Sequence, residues 1–364
     1  MFTIYLPDGT PVGLVENYIS AEWERRMYEP GEFEIEVMAT GPMLELLRLG
    51  RIVVKDGEAG IIEYVAFERA DDAPILTVRG CELDGVFRRR LVMQEEALKG
   101  VSERVVLELI DANCCQDGER RIEGMTVPAS EGRGPEVTID DAYTKELGDV
   151  ITRTLEGGDI GVRVRFPSWA VEVFDGLDRT AGQSVNPRAI LSVEGETLLS
   201  LAYEHDLSDY KNLVIVKCKP PAAELDAFTR SYGSAVGLDR REYLVTADKV
   251  EPVVTVEYPP QELGGGKIVT TDYGAGADEI GRRELANRAE CASLTGTVAR
   301  NLVYRVDYDL GDRITIESHE LGISQDVRIT EVKETYSEQG LEEIELVFGK
   351  KSSIKQLIRR LSDG

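Results

Sequence analysis

Phe33-Glu-Ile-Glu-Val37 places an apolar side chain at every odd position and a carboxylate at each position between. A period of two is the repeat of a strand with one buried and one wet face. The same alternation returns in Val162-Arg-Val-Arg-Phe166, Arg313-Ile-Thr-Ile-Glu317 and Ile344-Glu-Leu-Val-Phe348. Pro7-Asp-Gly9, Pro30-Gly31, Asp56-Gly57 and Asp309-Leu-Gly-Asp312 put Gly, Pro or Asp where a chain reversal needs special backbone angles. The dominant local structure is therefore antiparallel β.

Helices are expected between the strands. Tyr143, Leu147, Val150, Ile151 and Leu155 recur at helical spacing, behind Asp140-Asp141 as cap candidates and ahead of Gly157-Gly158. Others are expected over about 101–112 (Val105, Val106, Leu109, Ile110) and about 277–292 (Leu285, Ala289, Ala292). A last one carries Ile354, Leu357, Ile358 and Leu361 behind Ser352-Ser353. Strands, a helical middle, strands interrupted by a helix, and strands again predict an α+β, β-rich fold with two β-rich units. Gly264-Gly-Gly266, after Tyr258-Pro-Pro260, reads as a loop.

With 364 residues the chain has room for roughly two or three packed units. Its 42% hydrophobic and 30% charged residues exclude disorder throughout. No run approaches the roughly 18 apolar residues of a membrane helix, and no basic-then-apolar leader opens the chain, so neither insertion nor a secretion signal is expected. Lys plus Arg number 42 against 67 for Asp plus Glu, a formal charge of −25. Such a surface repels phosphate and disfavours a dedicated nucleic-acid binder, though it suits a passage through which nucleic acid slides without sticking. Arg88-Arg89-Arg90 is expected to end an element or meet neighbouring carboxylates. Five cysteines with no Cys-x-x-Cys spacing (Cys81, Cys114, Cys115, Cys218, Cys291) fit reduced, mostly buried thiols.

The search for chemistry returns no catalytic, cofactor-binding or metal residue. His205 and His319 are the only histidines and lack ligand spacing. Gly182-Gln-Ser184-Val-Asn186 breaks the nucleophile elbow at its last position. Gly264-Gly-Gly-Lys267 has Gln261 where a phosphate loop needs its first glycine and Ile268 where it needs a hydroxyl. Gly274-Ala-Gly276 is followed by Glu279 instead of the third glycine of a dinucleotide fingerprint. Asp71-Asp72, Asp206 with Asp209, and the other carboxylate pairs have no specificity in so acidic a chain. Asp307-Tyr-Asp309-Leu-Gly-Asp312 departs from a calcium loop at Gly311 and Ser318, and reads as a tight turn with Asp309 capping and Gly311 at positive φ.

Several stretches, in order, carry a resemblance. They are Gly60-Ile-Ile-Glu63; Gly80-Cys-Glu-Leu83 leading into Arg88–Arg90; and Gly176-Leu-Asp-Arg-Thr180 with Gln183, Asn186-Pro187 and Ile190-Leu-Ser192. Tyr203, Asn212, Gly237-Leu-Asp-Arg-Arg-Glu242, Asp307–Asp312, Ile329-Thr-Glu-Val332 and Phe348-Gly349 follow. Together they resemble the baseplate hub, or tail-tip hub, proteins of long-tailed bacteriophages and prophages, especially the siphophage type. The segment of about 93–170 matches least. Where that family commonly has Gly-Asn after a Ser-containing strand, this chain has Glu196-Thr197-Leu198.

The resemblance implies two tail-tube-like antiparallel β-barrels plus smaller inserted α+β domains. The first barrel would span 1–92, an α+β middle domain 93–190, and the second barrel 191–219 with 293–350. An inserted α+β domain would occupy 220–292 and a C-terminal helix 351–364. The implied function is a non-enzymatic structural hub at the distal end of the virion tail, made in the host cytoplasm. A homotrimer of two-barrel chains would match the sixfold tail tube above and a threefold spike, fibre or central tip protein below. DNA would be cargo passing an acidic bore, with no cofactor and no membrane insertion. The alternative is a tail-associated cell-wall hydrolase or a glycan- or receptor-binding tail protein.

Overall fold

A computed structural model of the chain describes residues 1–70, 73–139, 142–219, 228–248, 253–257, 268–286, 288 and 291–349. Strand accounts for 46% and helix for 17%, so the β-rich expectation holds. Two compact units emerge: Met1–Tyr203 with Leu294–Lys350, and, in its described part, Glu204–Ser293.

In the first unit the N-terminal strands are β1 (Phe2–Tyr5), β2 (Pro11–Val15), β3 (Ser20–Arg26), β4 (Glu32–Met38), β5 (Ile52–Lys55), β6 (Glu58–Ala70) and β7 (Ala73–Glu82). The turns foreseen from sequence join them. Asp8 accepts the Thr10 amide at 2.9 Å between β1 and β2. Asp56 and Gly57 both take positive φ, 49° and 83°, as a two-residue reversal between twisted strands requires. The short helix α1 (Gly41–Leu46) was not foreseen. Its signal is Thr40-Gly41-Pro42: the Thr40 hydroxyl accepts the Met43 amide, and proline needs no partner in a first turn.

The middle of the chain adds β8 (Leu98–Val101), α2 (Ser102–Ile110), β9 (Glu136–Ile139), α3 (Leu147–Gly158), β10 (Gly161–Arg165) and β11 (Ala170–Phe174). The α2 helix falls within the expected span and runs on into a wider turn over Asp111–Cys115. The α3 helix starts one turn later than Tyr143 suggested. Thr144 takes a left-handed φ of 62°, and the backbone of Thr144, Lys145 and Leu147 bonds to Val92 and Arg90 instead of continuing a helix. The expected caps Asp140 and Asp141 lie outside the described residues. The helix ends as Asp159 enters the left-handed region, just past Gly157-Gly158.

The C-terminal strands of this unit begin with β12 (Ile190–Leu191) and β13 (Leu198–Asp206). In the second unit, β14 (Leu213–Lys219) is the middle strand of a sheet with β15 (Phe228–Gly233) and β16 (Glu242–Asp248). A hairpin of β17 (Val253–Glu257) and β18 (Ile268–Asp272) precedes α4 (Tyr273–Ala286), and a small core joins Val214, Val216, Cys218 and Ala277. The chain returns to the first unit through β19 (Cys291–Val298), β20 (Arg313–Ser318), β21 (Ile323–Ser337) and β22 (Gly340–Phe348). The Gly264–Gly266 loop and the Ile354–Leu361 helix fall outside the described residues.

One thirteen-stranded sheet links both strand groups, in the order β13-β19-β22-β21-β3-β4-β7-β6-β5-β1-β2, with β20 and β12 branching from β21. Among the described residues no strand closes this path into a barrel. The reason is the pairing of β3 with β21 over seven residues, Ser20↔Ser337 to Arg26↔Glu331, which spends the edge that would close the N-terminal group on its C-terminal counterpart. The cores nevertheless stay separate. Phe2, Trp23, Phe33, Ile35 and Val78 belong to one, and Leu191, Leu294, Tyr308, Ile316 and Phe348 to another. A third wraps α2 and α3 against Ile52, Ile61 and Leu83.

Candidate functional site

The stretches that carried the resemblance meet in pairs, and each meeting is a structural staple. Asp312, almost fully buried, accepts the Leu177 amide and the Arg179 Nε, both at 2.7 Å, and the Asp309 amide at 2.9 Å. Burial pushes the Asp312 carboxyl up despite these donors. Gly176 must be glycine here: a Cβ would lie 2.1 Å from the Gly311 carbonyl oxygen, and its φ is 69°. Gly311 has φ 89° and Asp309 accepts the Leu310 amide, as the turn reading of 307–312 required. In the second unit, Asn212 donates to the Asp239 carbonyl at 2.7 Å and accepts the Arg241 amide, clamping the 237–242 stretch. Thr330 donates to the Gly349 carbonyl at 2.6 Å, fixing the end of β22.

The residues weighed for chemistry have ordinary places. Arg88 reaches Glu29 at 3.2 Å and Arg89 pairs with Glu63, as a basic cluster seeking carboxylates should. Gln183 Oε1 accepts the Val185 and Asn186 amides, so the loop around Ser184 is held by an amide clamp. His319 donates its amide to Glu194 at 3.0 Å. Cys81, Cys114 and Cys218 are free and buried, and burial pushes the Cys81 thiol up to about 12. Among the described residues, no three His, Cys, Asp or Glu side chains are grouped to hold a metal.

What the sequence reading missed is a buried ionic joint where β3 crosses to β21. Arg25, fully buried, pairs with Glu58 and lies 2.7 Å from Glu334. Lys55 reaches both Glu334 and Asp56 at 2.8 Å. Arg305 pairs with Glu58 at 2.5 Å and donates to the Asp56 carbonyl. Two rings close the cluster: the Arg25 guanidinium sits 5.1 Å from the Tyr304 centroid, and the Lys55 ammonium 4.9 Å from that of Tyr336. Burial favours a neutral Glu334, but Arg25 and Lys55 outweigh it and hold the carboxyl below its usual range. Nearby Asp84 goes the other way: burial, then the charge of Glu82, push it well up, and Arg88 offsets only part of this. A signal existed. Ala21, Trp23 and Arg25 share one parity of β3, and Val332, Glu334 and Tyr336 one parity of β21; one charge of opposite sign breaks each apolar pattern.

The other face of the same strands is acidic. By register, Glu22 opposes Glu34 and Glu24 opposes Glu32 across β3 and β4. Glu36 follows on β4, Glu331 on β21, and Glu343 and Glu345 on β22. Arg26, Lys333 and Arg79 are the cations on this face, three against eight carboxylates. Like charges set directly opposite destabilise a sheet; Lys333 beside Glu22, Arg26 beside Glu24 and Glu32, and Arg79 beside Glu34 offset part of that repulsion and leave the face with a surplus of carboxylates.

Three solved structures share the fold along almost the whole chain. A tail protein from Neisseria meningitidis MC58 matches with a TM-score of 0.58 at 15% identity, over 98% of this chain and 97% of that one. The 43 kDa tail protein of prophage MuSo2 from Shewanella oneidensis gives 0.56 at 10% identity, over 96% and 98%. Prophage tail protein gp18 from Listeria monocytogenes EGD-e gives 0.51 at 12%, over 100% and 98%. No curated protein matches the sequence. The fold is thus that of phage and prophage tail proteins, in keeping with the resemblance carried by the motifs. Residues 1–350 match the family described as Siphovirus ReqiPepy6 Gp37-like protein, and the chain belongs to that family.

Proposed function

We propose that the protein is a structural hub of a phage or prophage tail tip, located at the distal end of the virion tail and without catalytic activity of its own. The observation that carries this reading is family membership over residues 1–350 together with a whole-length fold likeness to phage tail proteins. Two strand groups with separate cores in one chain support a doubled role, in which three copies present six similar faces to a sixfold tube and three to a threefold tip. In that assembly the acidic face of β4, β3, β21 and β22 is the proposed lining of the DNA passage. Phosphates slide past carboxylates because few cations are there to displace their counterions.

Light scattering on the purified chain at rising concentration, followed by electron microscopy of the particles, tests the reading. A threefold ring with the β3–β4 carboxylates toward its bore is the expected result. A chain that stays monomeric at every concentration, or assembles in another symmetry, overturns it. Muralytic activity abolished by one carboxylate substitution would instead move the protein to the hydrolase class.

A further inference from the structure

Beside the ionic joint lies a cavity of about 30 Å³, lined by Arg25, Glu58, Glu82, Asp84, Arg163 and Tyr304 among others. It is small, polar and bounded by sequence-remote segments: β3, the β5–β6 turn, the end of β7, β10 and the loop before β20. Two of its lining groups are buried with unfilled hydrogen-bonding capacity. The Arg25 Nη2 donates to nothing, and Arg25 Nη1, though 2.7 Å from Glu334, is not aligned for a hydrogen bond. The Tyr304 hydroxyl, equally buried, has no partner either. Arg25 is 1% exposed, so bulk solvent does not serve it.

Buried guanidinium and phenol groups are rarely left unbonded, because each orphaned donor carries its full desolvation penalty. A polar cavity holds water when it offers roughly 10–15 Å³ per molecule and two or more polar partners. This one offers about twice that volume, with donors in Arg25 and Tyr304 and acceptors in Glu58 and Glu82. A halide would find the guanidinium, but Glu58 and Glu334 already pair with it, and their repulsion removes the halide's advantage. An apolar occupant would leave the same donors unbonded.

We propose that this cavity is a built solvent site that holds one or two resident water molecules, bonded to Arg25 Nη2, to the Tyr304 hydroxyl and to the carboxylates opposite. The joint between the two strand groups is then a hydrated ion network. Water supplies the bonds that the protein does not, and so allows a guanidinium to sit between two cores.

A crystal structure of the full chain at a resolution that shows ordered solvent tests this, with a parallel bromide soak and the Tyr304→Phe variant. The expected result is density within hydrogen-bond distance of Arg25 Nη2 and of the Tyr304 hydroxyl, with no anomalous bromide peak. Tyr304→Phe should remove only the hydroxyl-bound water. A dry or collapsed cavity, direct bonding of Tyr304 to a lining side chain, or an anomalous halide peak each overturns the proposal. So does solvent unchanged by Tyr304→Phe. The native crystal alone decides the matter if that variant does not fold.

Discussion

The two faces of β3 treat charge in opposite ways. Inward, Arg25 is surrounded by Glu58, Glu334 and the Tyr304 ring, so a buried charge meets its opposite within bonding reach. Outward, Glu22 and Glu24 stand across from Glu34 and Glu32, like charge against like, and each leans on a surface cation, Lys333, Arg26 or Arg79, in pairs that water reaches and screens. Burial makes an uncompensated charge intolerable, whereas water screens it on the surface to a fraction of a kilocalorie. Stability therefore dictates the inner pattern and permits the outer one; the acidic face must be explained by what it meets. The hairpin of β10 and β11 sharpens the point. There Arg163 opposes Glu172 directly, Arg165 also reaches it, and the pair stabilises the hairpin as cross-strand partners ordinarily do.

The largest expected effect breaks the inner pattern. Arg25→Met leaves Glu58 and Glu334 without their central cation and should cost about 3–5 kcal/mol in urea unfolding. A loss under 1 kcal/mol would mean the joint is not held by charge. Next comes Asp84→Asn. The Asp84 pKa is raised in the fold by burial and by Glu82, so the native state holds its proton longer and loses stability as pH climbs toward the folded value. The stability gap favouring Asn should widen from pH 4 to pH 8. Glu334 runs the other way. Its lowered pKa contributes stability above the ordinary glutamate range that disappears as pH falls through the folded value, and Glu334→Gln should blunt that acid loss.

Smaller effects probe the outer face. A double-mutant cycle of Glu22→Gln with Glu34→Gln should give a repulsive coupling of about 0.2–1 kcal/mol that shrinks in 0.5 M salt. The matching cycle on Arg163 and Glu172 should give the opposite sign. Equal signs would end the contrast between the two hairpins. The smallest change tests a cost paid in backbone geometry. Glu196 occupies φ 55°, a region that suits glycine, while the Thr197 hydroxyl accepts the Ser192 amide at 2.8 Å and keeps the turn. Glu196→Gly should gain about 0.5 kcal/mol, read as a shift in the urea midpoint.

The local strands and turns were legible because alternation and turn chemistry act within a few residues. Phe33–Val37 lies in β4, Arg313–Glu317 in β20, and Gly311 takes its positive φ. The late start of α3 was not legible, since it depends on backbone bonds to Val92 and Arg90, more than fifty residues away. The joint was half legible. Arg25 and Glu334 each break a period of two, but only the pairing of β3 with β21 reveals that the breaks coincide. The partners of the basic run at Arg88–Arg90 follow the same logic, visible as a need in the sequence and as an answer only in the fold.

The β3–β21 pairing also sets a timetable. An N-terminal strand waits for one that is translated about 300 residues later, which at 5–20 residues per second is roughly 15–60 s. Throughout that interval the nascent protein carries a bare strand edge and a guanidinium that has Glu58 but still lacks Glu334. Whatever shields that edge on the ribosome, whether a chaperone or a transient local partner, governs how much of the product matures and how much is lost to aggregation.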